Sequence, residues 1–455
     1  MDGKKPIGWI SGRLFVFAAL LIAAWHLVFY LGRQLWFDEV ITLLNFAALD
    51  TPAAIYRTYV IPNNQILHSI ILHGLLRLGV VPEIMRLFPL VCGGVMLFLL
   101  WRNFARELGG PPLAAALTAL ALSPPFLLYA TALRGYMLAA LLTVCALIVA
   151  RKFALGGRWR HLFLWFLFAT LAVAVMPSAL AGIAAAGLYA VPYCGKRWWR
   201  SSRIGLMAVA PFVGFALFYA PIRHDLLRAF ALKEGWHSAS GALLATAAAL
   251  LITFLPLLPG TVFHRPSRRE ALHPLIWLLP VGGALLPVSP FPRVWFVLFP
   301  VFALLMAKYL RRTPKKWLKI TCCVTLLWGA IIPLEFLRIR ISPLCAAAGQ
   351  DDFYAPDFAR TSFSPAETVS AIENELPENT PVFTSFDADP WSIIYYHGGS
   401  LFDGPRGKVQ TLPDHTAVIL SPRESPTPFA ERFHGTLTPL FHTPRHTVYL
   451  FRGRQ

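Results

Sequence analysis

Long apolar runs separated by short polar links fill the first three quarters of the chain. They fall at roughly 12–31, 84–101, 112–129, 135–150, 161–175, 177–193, 204–221, 241–262, 272–288, 293–310 and 317–336. Runs of this length and apolarity predict membrane-spanning helices. One further stretch, 64–81 (NQILHSIILHGLLRLGVV), is interrupted by His68, His73 and Arg77. It predicts an amphipathic helix lying in the outer interface. Beyond about 340 the pattern changes to polar and Pro-rich sequence. A helical period follows at 365–376, then short alternating segments at 381–386, 416–421, 436–443 and 446–453 that predict strands, with a second helix at 389–398 between them.

Charge turns these runs into a topology. Basic clusters sit at Lys4–Arg13, Arg102–Arg106, Arg151–Arg160, Lys196–Arg203, Arg265–Arg269 and Arg311–Lys319. If all of them face the cytoplasm, the runs between them cross in pairs, giving about eleven spans with the N-terminus inside and the C-terminus outside. Counting 64–81 as a twelfth span would put every later cluster on the wrong side. The first run, after Lys4 and Lys5, lacks a persuasive small-residue cleavage site and is read as a signal-anchor helix.

The fold expected is therefore a polytopic α-helical membrane protein. Residues 1–340 form the transmembrane domain with a long first external loop at 33–83, and 341–455 form a small extracytoplasmic α/β domain. A composition of 56% hydrophobic residues agrees with this class and excludes a soluble core. The excess of 41 Lys and Arg over 23 acids would otherwise suggest nucleic acid. That excess is confined to 1–337, with 31 basic against 10 acidic side chains, whereas 338–455 carries 10 against 13. The positive charge belongs to topology, and no nucleic-acid partner is expected. A bacterial inner or plasma membrane is the expected location. The six cysteines show no CxxC and no metal-ligand spacing, so neither a disulfide nor a metal centre is expected.

Candidate chemistry gathers on the outer side. Phe37-Asp38-Glu39 follows the first span and places two adjacent carboxylates at a membrane exit. Asp38 is the candidate general base, since a transferase that deprotonates its acceptor needs a carboxylate within hydrogen-bond reach of the attacking atom. Its bland alternative is an N-cap for a helix beginning at Val40. Glu39 is then a first-turn acid, or a metal or acceptor contact. In SPPFLLYATALRGYML, Pro124 and Pro125 break the third span, and Tyr129, Arg134 and Tyr136 cluster where the chain turns back. Arg293 follows two prolines at the outer end of a later span. An arginine at the lipid boundary calls for an anion, and a lipid phosphate fits; the bland alternative is snorkelling to headgroups. Asp387 and Asp389 read more simply as a turn and a helix cap.

In this order, the Phe37-Asp38-Glu39 site, the interfacial helix opening with Asn63-Asn64, the span RLFPLVCGGVMLFLLWRNFAREL, the turn SPPFLLYATALRGYML and the late span PRVWFVLFPVFALL resemble the GT-C glycosyltransferases. Within them the chain is most similar to the protein O-mannosyltransferase and aminoarabinose transferase group, over roughly residues 10–310. The resemblance implies a polyprenyl-phosphate-linked sugar donor, an active site in the first external loop and inversion at the anomeric carbon. It implies that Asp38 is the catalytic acidic residue, that Arg134 and Tyr136 are the arginine and tyrosine of the second loop, and that Arg293 meets the lipid phosphate. Asn63, Asn64 and His68 are expected to line the sugar or acceptor side. Relatives often carry a glutamate where this chain has Ala132, and His-Pro-Pro where it reads Asn64-Gln65-Ile66; these departures bear on the acceptor and on any metal.

The function expected is transfer of a sugar from that donor to an extracytoplasmic glycan, lipid or protein, with membrane lipids as the other partners and no cofactor. Two alternatives stand beside it. A lipid or glycan transporter would need a polar midplane site and an internal repeat, and neither is visible in the sequence. A non-catalytic binder of lipid-linked sugars would keep the arginines and dispense with Asp38.

Overall fold

The computed structural model describes residues 8–32, 35, 37–59, 64–195, 201–231, 239–265, 270, 272–284, 292–338, 371–377, 380–385, 400–401, 403–404, 407–408, 410–421, 424–442 and 446–453. The chain forms two compact units: one of residues 1–33 and 45–360, the other of residues 34–44 and 361–455.

In the first unit every predicted apolar run contains a helix. Among the described residues, seven helices are long and apolar enough to cross a membrane, or eight if one bent pair counts as a single span. That pair, Gly110–Ala121 and Pro124–Thr131, bends by 62°. The break expected at Pro124 and Pro125 is present: neither proline can donate into the preceding turn, and Ser123 starts a new helix, its Oγ accepting from the Phe126 N–H at 3.3 Å. Trp159–Val175 and Ala179–Cys194 are shorter apolar helices.

Prolines within helices or at their ends pose a specific problem, since each leaves the carbonyl four residues earlier without its intrahelical donor. The unit solves it four times with a polar side chain from another helix. Pro177 leaves the Val173 carbonyl to the Tyr219 hydroxyl at 2.8 Å, and Pro211 leaves that of Met207 to the Trp165 indole N–H at 3.1 Å. Pro256 leaves Ile252 to the Trp328 indole N–H at 2.7 Å. Pro333 leaves Gly329 to His26 Nε2 at 2.7 Å, and one turn on, the Tyr30 hydroxyl donates to the Pro333 carbonyl at 3.2 Å. A histidine in the middle of the first span thus has a structural purpose: it finishes the backbone of the last one.

Helix ends that the charge count places on one side are joined by a polar layer. Arg151 pairs with Glu107 at 2.6 Å and lies over the rings of Phe104 and Tyr193, while the Tyr193 hydroxyl donates to Glu107. Tyr189, packed on Tyr193, stacks on His273 with ring centroids 6.3 Å apart. His273 lies 3.4 Å from Lys308, and Glu270 meets Lys308 at 3.6 Å and His264 at 3.1 Å.

The second unit is α/β. Its strands are β1 (Val382–Thr384), β2 (Ser400–Leu401), β3 (Asp403–Gly404), β4 (Gly407–Lys408), β5 (Thr416–Leu420), β6 (Gly435–His442) and β7 (Thr447–Gly453). A five-stranded sheet runs β2-β1-β5-β7-β6, with β1 parallel to β2 and β5, and β7 antiparallel to β5 and β6; β3 and β4 form a separate pair. β5 is covered on both faces: Ala417 and Ile419 pack with Ile372, Val382 and Val448, and Val418 and Leu420 with Phe433 and Phe451. The helix expected at 389–398, with Asp387 and Asp389, lies outside the described residues.

Candidate active site

Asp38 and Glu39 lie in a short helix, Phe37–Ile41, that runs on into a wider π-turn at Thr42–Ala47. The helix begins at Phe37, three residues earlier than the cap reading requires. Asp38 is therefore a first-turn residue and not an N-cap. Both carboxylates are buried, at 4% and 0% exposure, in the first turn of the helix. The Thr42 hydroxyl donates to the Asp38 carbonyl at 2.7 Å, tying the α and π segments together. The helix Phe37–Ile41 belongs to the second unit.

The remaining candidates belong to the first unit. The turn Ala132–Gly135 joins Pro124–Thr131 to Tyr136–Gly156 and is drawn tight by a hydrogen bond from the Arg134 N–H to the Ala132 carbonyl at 2.7 Å. Its Gly135 N–H donates to the Gln65 side-chain carbonyl. A Cβ at Gly135 would come within 2.5 Å of Val175 and 3.1 Å of His68, so only glycine lets the turn approach this closely. Arg134 is 1% exposed, whereas a snorkelling guanidinium ends in solvent. Its guanidinium lies 5.8 Å from the Tyr136 ring centroid. The Tyr129 ring contacts both Tyr136, at 4.5 Å, and Phe296, at 5.1 Å. Phe296 is three residues after Arg293 in the 3₁₀ helix Pro292–Leu298, so one aromatic stack connects the two arginine-bearing segments. Arg293 itself is half-buried.

The helix Ile66–Arg77 is about 18 Å long, too short to span a bilayer core of roughly 30 Å. It departs from the expected amphipathic pattern in one respect: its histidines face inward. His68 and Ser69 are fully buried, and His73 Nδ1 lies 3.0 Å from the Ala47 carbonyl. Burial, and after it the charge of Arg134, push the His68 imidazole down to about 3, so it is neutral at physiological pH. Its ring packs on Phe88, and neither ring nitrogen has a hydrogen-bond partner among the described residues. Asn64 is occupied within the protein. Its amide donates to the carbonyls of Ile55, at 3.1 Å, and Thr58, at 2.8 Å, and accepts from Ser69 at 3.1 Å. Asn63 lies outside the described residues.

The first unit thus brings together Gln65, His68, Arg134 and Tyr136, with the Arg293 segment joined to them through Tyr129 and Phe296. Among the described residues no group of three or more His, Cys, Asp or Glu is arranged to hold a metal ion. Two structural positions escape sequence reasoning. Gln65 stands out only as an uncharged polar residue before an apolar helix, and its role depends on a contact 70 residues away. Arg86 is fully buried and donates to the Leu31 carbonyl at 3.2 Å, closing the end of the first helix; the signal was an arginine inside an otherwise apolar run.

No protein-family model and no curated protein matches the sequence. Among solved structures, ArnT from Cupriavidus metallidurans in the apo state is similar with a TM-score of 0.59 at 16% identity, covering 97% of this chain and 98% of that one. The same protein bound to undecaprenyl phosphate gives a TM-score of 0.57 at 16% identity, with the same coverage of both chains. The likeness runs nearly end to end, and this chain has the ArnT fold.

Proposed function

We propose that this chain is an integral membrane glycosyltransferase that moves a sugar from a polyprenyl-phosphate donor to an extracytoplasmic acceptor. The observation that carries the reading is Arg134: a fully buried arginine beside a neutral histidine, in a turn fixed by Gln65 and Gly135, within a fold whose solved example binds undecaprenyl phosphate. A guanidinium presents a fork of N–H donors that suits phosphate, and the donor's lipid phosphate is placed against Arg134 with Arg293 and Tyr136 around it.

In the proposed reaction the Asp38 carboxylate takes the proton from an acceptor hydroxyl or amine. The acceptor oxygen or nitrogen then attacks the anomeric carbon from the face opposite the phosphate, and the carbon–oxygen bond to phosphate breaks. Polyprenyl phosphate leaves with the electron pair, and the sugar is inverted. The guanidinium charge stabilises the leaving group as its charge grows. Glu39 supports the base or contacts the acceptor. His68 and Asn63 line the sugar side, whereas Asn64, its amide already engaged, shapes the loop. Eleven spans, with the N-terminus inside and both the active site and the C-terminal domain outside, complete the reading.

The test is turnover by the purified chain in nanodiscs with a panel of undecaprenyl-phosphate sugars, read as release of undecaprenyl phosphate by mass spectrometry. Accumulation of one such lipid in cells lacking the gene names the donor. A chain that neither binds nor turns over any polyprenyl-phosphate sugar overturns the proposal.

A further inference from the structure

We infer that the first unit carries a second phosphate-recognising lipid site, built for an anionic phospholipid of the bilayer and lying on the side where the basic clusters gather. Two cavities that share Val262 define it. One, of about 520 Å³, is an apolar groove walled by Pro256, Pro259, Val324 and Trp328. The other, of about 450 Å³, is lined by Phe263, Arg265 and Arg312. Apolar groove and cationic end match the two halves of a phospholipid, with an acyl chain along the first and the phosphate between the guanidinium groups.

The site is held in place by more than the charge of its loops. The Thr313 hydroxyl donates to the Gly260 carbonyl at 2.8 Å, Arg312 donates to the Arg265 carbonyl at 3.3 Å, and Phe263 packs on Trp317 with centroids 6.2 Å apart. A Cβ at Gly260 would collide with Leu310, so the glycine permits the close approach of the helices Leu258–Thr261 and Phe299–Leu310. Trp328 is fixed in the groove wall by its bond to the carbonyl that Pro256 frees. The groove therefore follows from the same proline break that the indole repairs.

Charge decides the occupant. The neighbouring carboxylate, Glu270, is taken by His264 and Lys308, and among the described residues neither Arg265 nor Arg312 has a carboxylate within ion-pair distance. A guanidinium offers five N–H donors in a fork that suits phosphate, and the single bond from Arg312 to a carbonyl leaves most of that capacity in use by nothing else described. Basic pockets between transmembrane helices on the cytoplasmic side hold anionic headgroups in this manner. A zwitterionic lipid would bring its own ammonium against the arginines. By the positive-inside count the site lies in the cytoplasmic leaflet, away from Arg134 and Arg293, and it does not depend on the proposed reaction.

Native mass spectrometry of the full chain, released from mixed micelles of phosphatidylglycerol and phosphatidylcholine, tests the inference. Wild-type protein is expected to retain phosphatidylglycerol at least fivefold over phosphatidylcholine. Arg265→Gln/Arg312→Gln should abolish that preference, and Val324→Trp, which fills the groove and keeps both arginines, should reduce total retained lipid. Excess inorganic phosphate should not displace the lipid. Equal retention of the two lipids by wild type, an unchanged preference in the double variant with its elution profile intact, or displacement by inorganic phosphate or by undecaprenyl phosphate at equimolar amounts would each overturn the site as a phospholipid site.

Discussion

Buried charge separates function from topology at the level of single residues. Sequence offers the same two explanations for every arginine near a membrane surface, and the 1% exposure of Arg134 weighs against the snorkelling one. Arg134→Ala should weaken binding of a polyprenyl-phosphate donor by about 1.5–3 kcal/mol, roughly ten- to 150-fold in Kd, measured by titration in nanodiscs. Arg293→Ala should act in the same direction and by less, since Arg293 is only half-buried. Asp38→Asn keeps shape and removes the base, so transfer should vanish while donor binding and melting temperature stay near wild type. A fully active Asp38→Asn protein would favour the non-catalytic reading. His68 gives a pH signature. Its folded state refuses a proton that the unfolded chain accepts, so the corresponding stability is complete above about pH 6.5 and is lost progressively as pH falls toward about 3. Unfolding midpoints of His68→Asn should therefore fall less steeply than wild type across that window.

Helices raise a different question: how a chain with 37 prolines keeps its membrane backbone satisfied. Four of them are answered by a donor that lies between 42 and 303 residues away from the freed carbonyl. Trp165→Phe should cost about 0.6–2 kcal/mol by thermal melting in detergent, the range expected for interhelical bonds within a bilayer protein. The cost should shrink in Trp165→Phe/Pro211→Ala, because alanine restores the N–H that the Met207 carbonyl lacks. If the double variant is no better than the sum of the singles, the indole acts through packing alone. Gln65→Ala belongs to the same scale: it deprives Gly135 of its acceptor, and faster hydrogen exchange across 132–136 is the expected readout.

For the molecule as a whole, the arrangement of charge makes the sharpest claim. Reporter fusions after Arg106, Arg158 and Lys315 should report the cytoplasm, and a fusion after Arg77 the outside. The polar layer from Arg151 through Tyr193 and His273 to Glu270 joins helix ends that this topology puts on one side, so a scrambled pattern of signals would contradict both. An inside signal after Arg77 would make 64–81 a span and invert the active side. Activity in chelator is the second test at this scale. A divalent ion wants several oxygen ligands, and the loops expected outside by charge offer Asp38 and Glu39 as their close carboxylate pair. Transfer should survive chelation, whereas complete loss restored by Mg²⁺ would replace the arginine-centred account of phosphate neutralisation.

Some of this was settled by the residues in order. Apolar runs are forced into helices because unsatisfied backbone is too costly in lipid, so the helical class and the positions of the runs could be read directly from composition and pattern. The alternating segments of the last hundred residues likewise announced strands at 416–421 and 446–453, since period two has few other outcomes. Pattern could not say that the third span bends by 62°, that a histidine in the first helix repairs a proline in the last, or that Gln65 holds the turn bearing Arg134. Those facts depend on which groups meet across tens to hundreds of residues. Local propensity carries no record of such meetings; only packing decides which buried donor reaches which orphaned acceptor, and which arginine is buried.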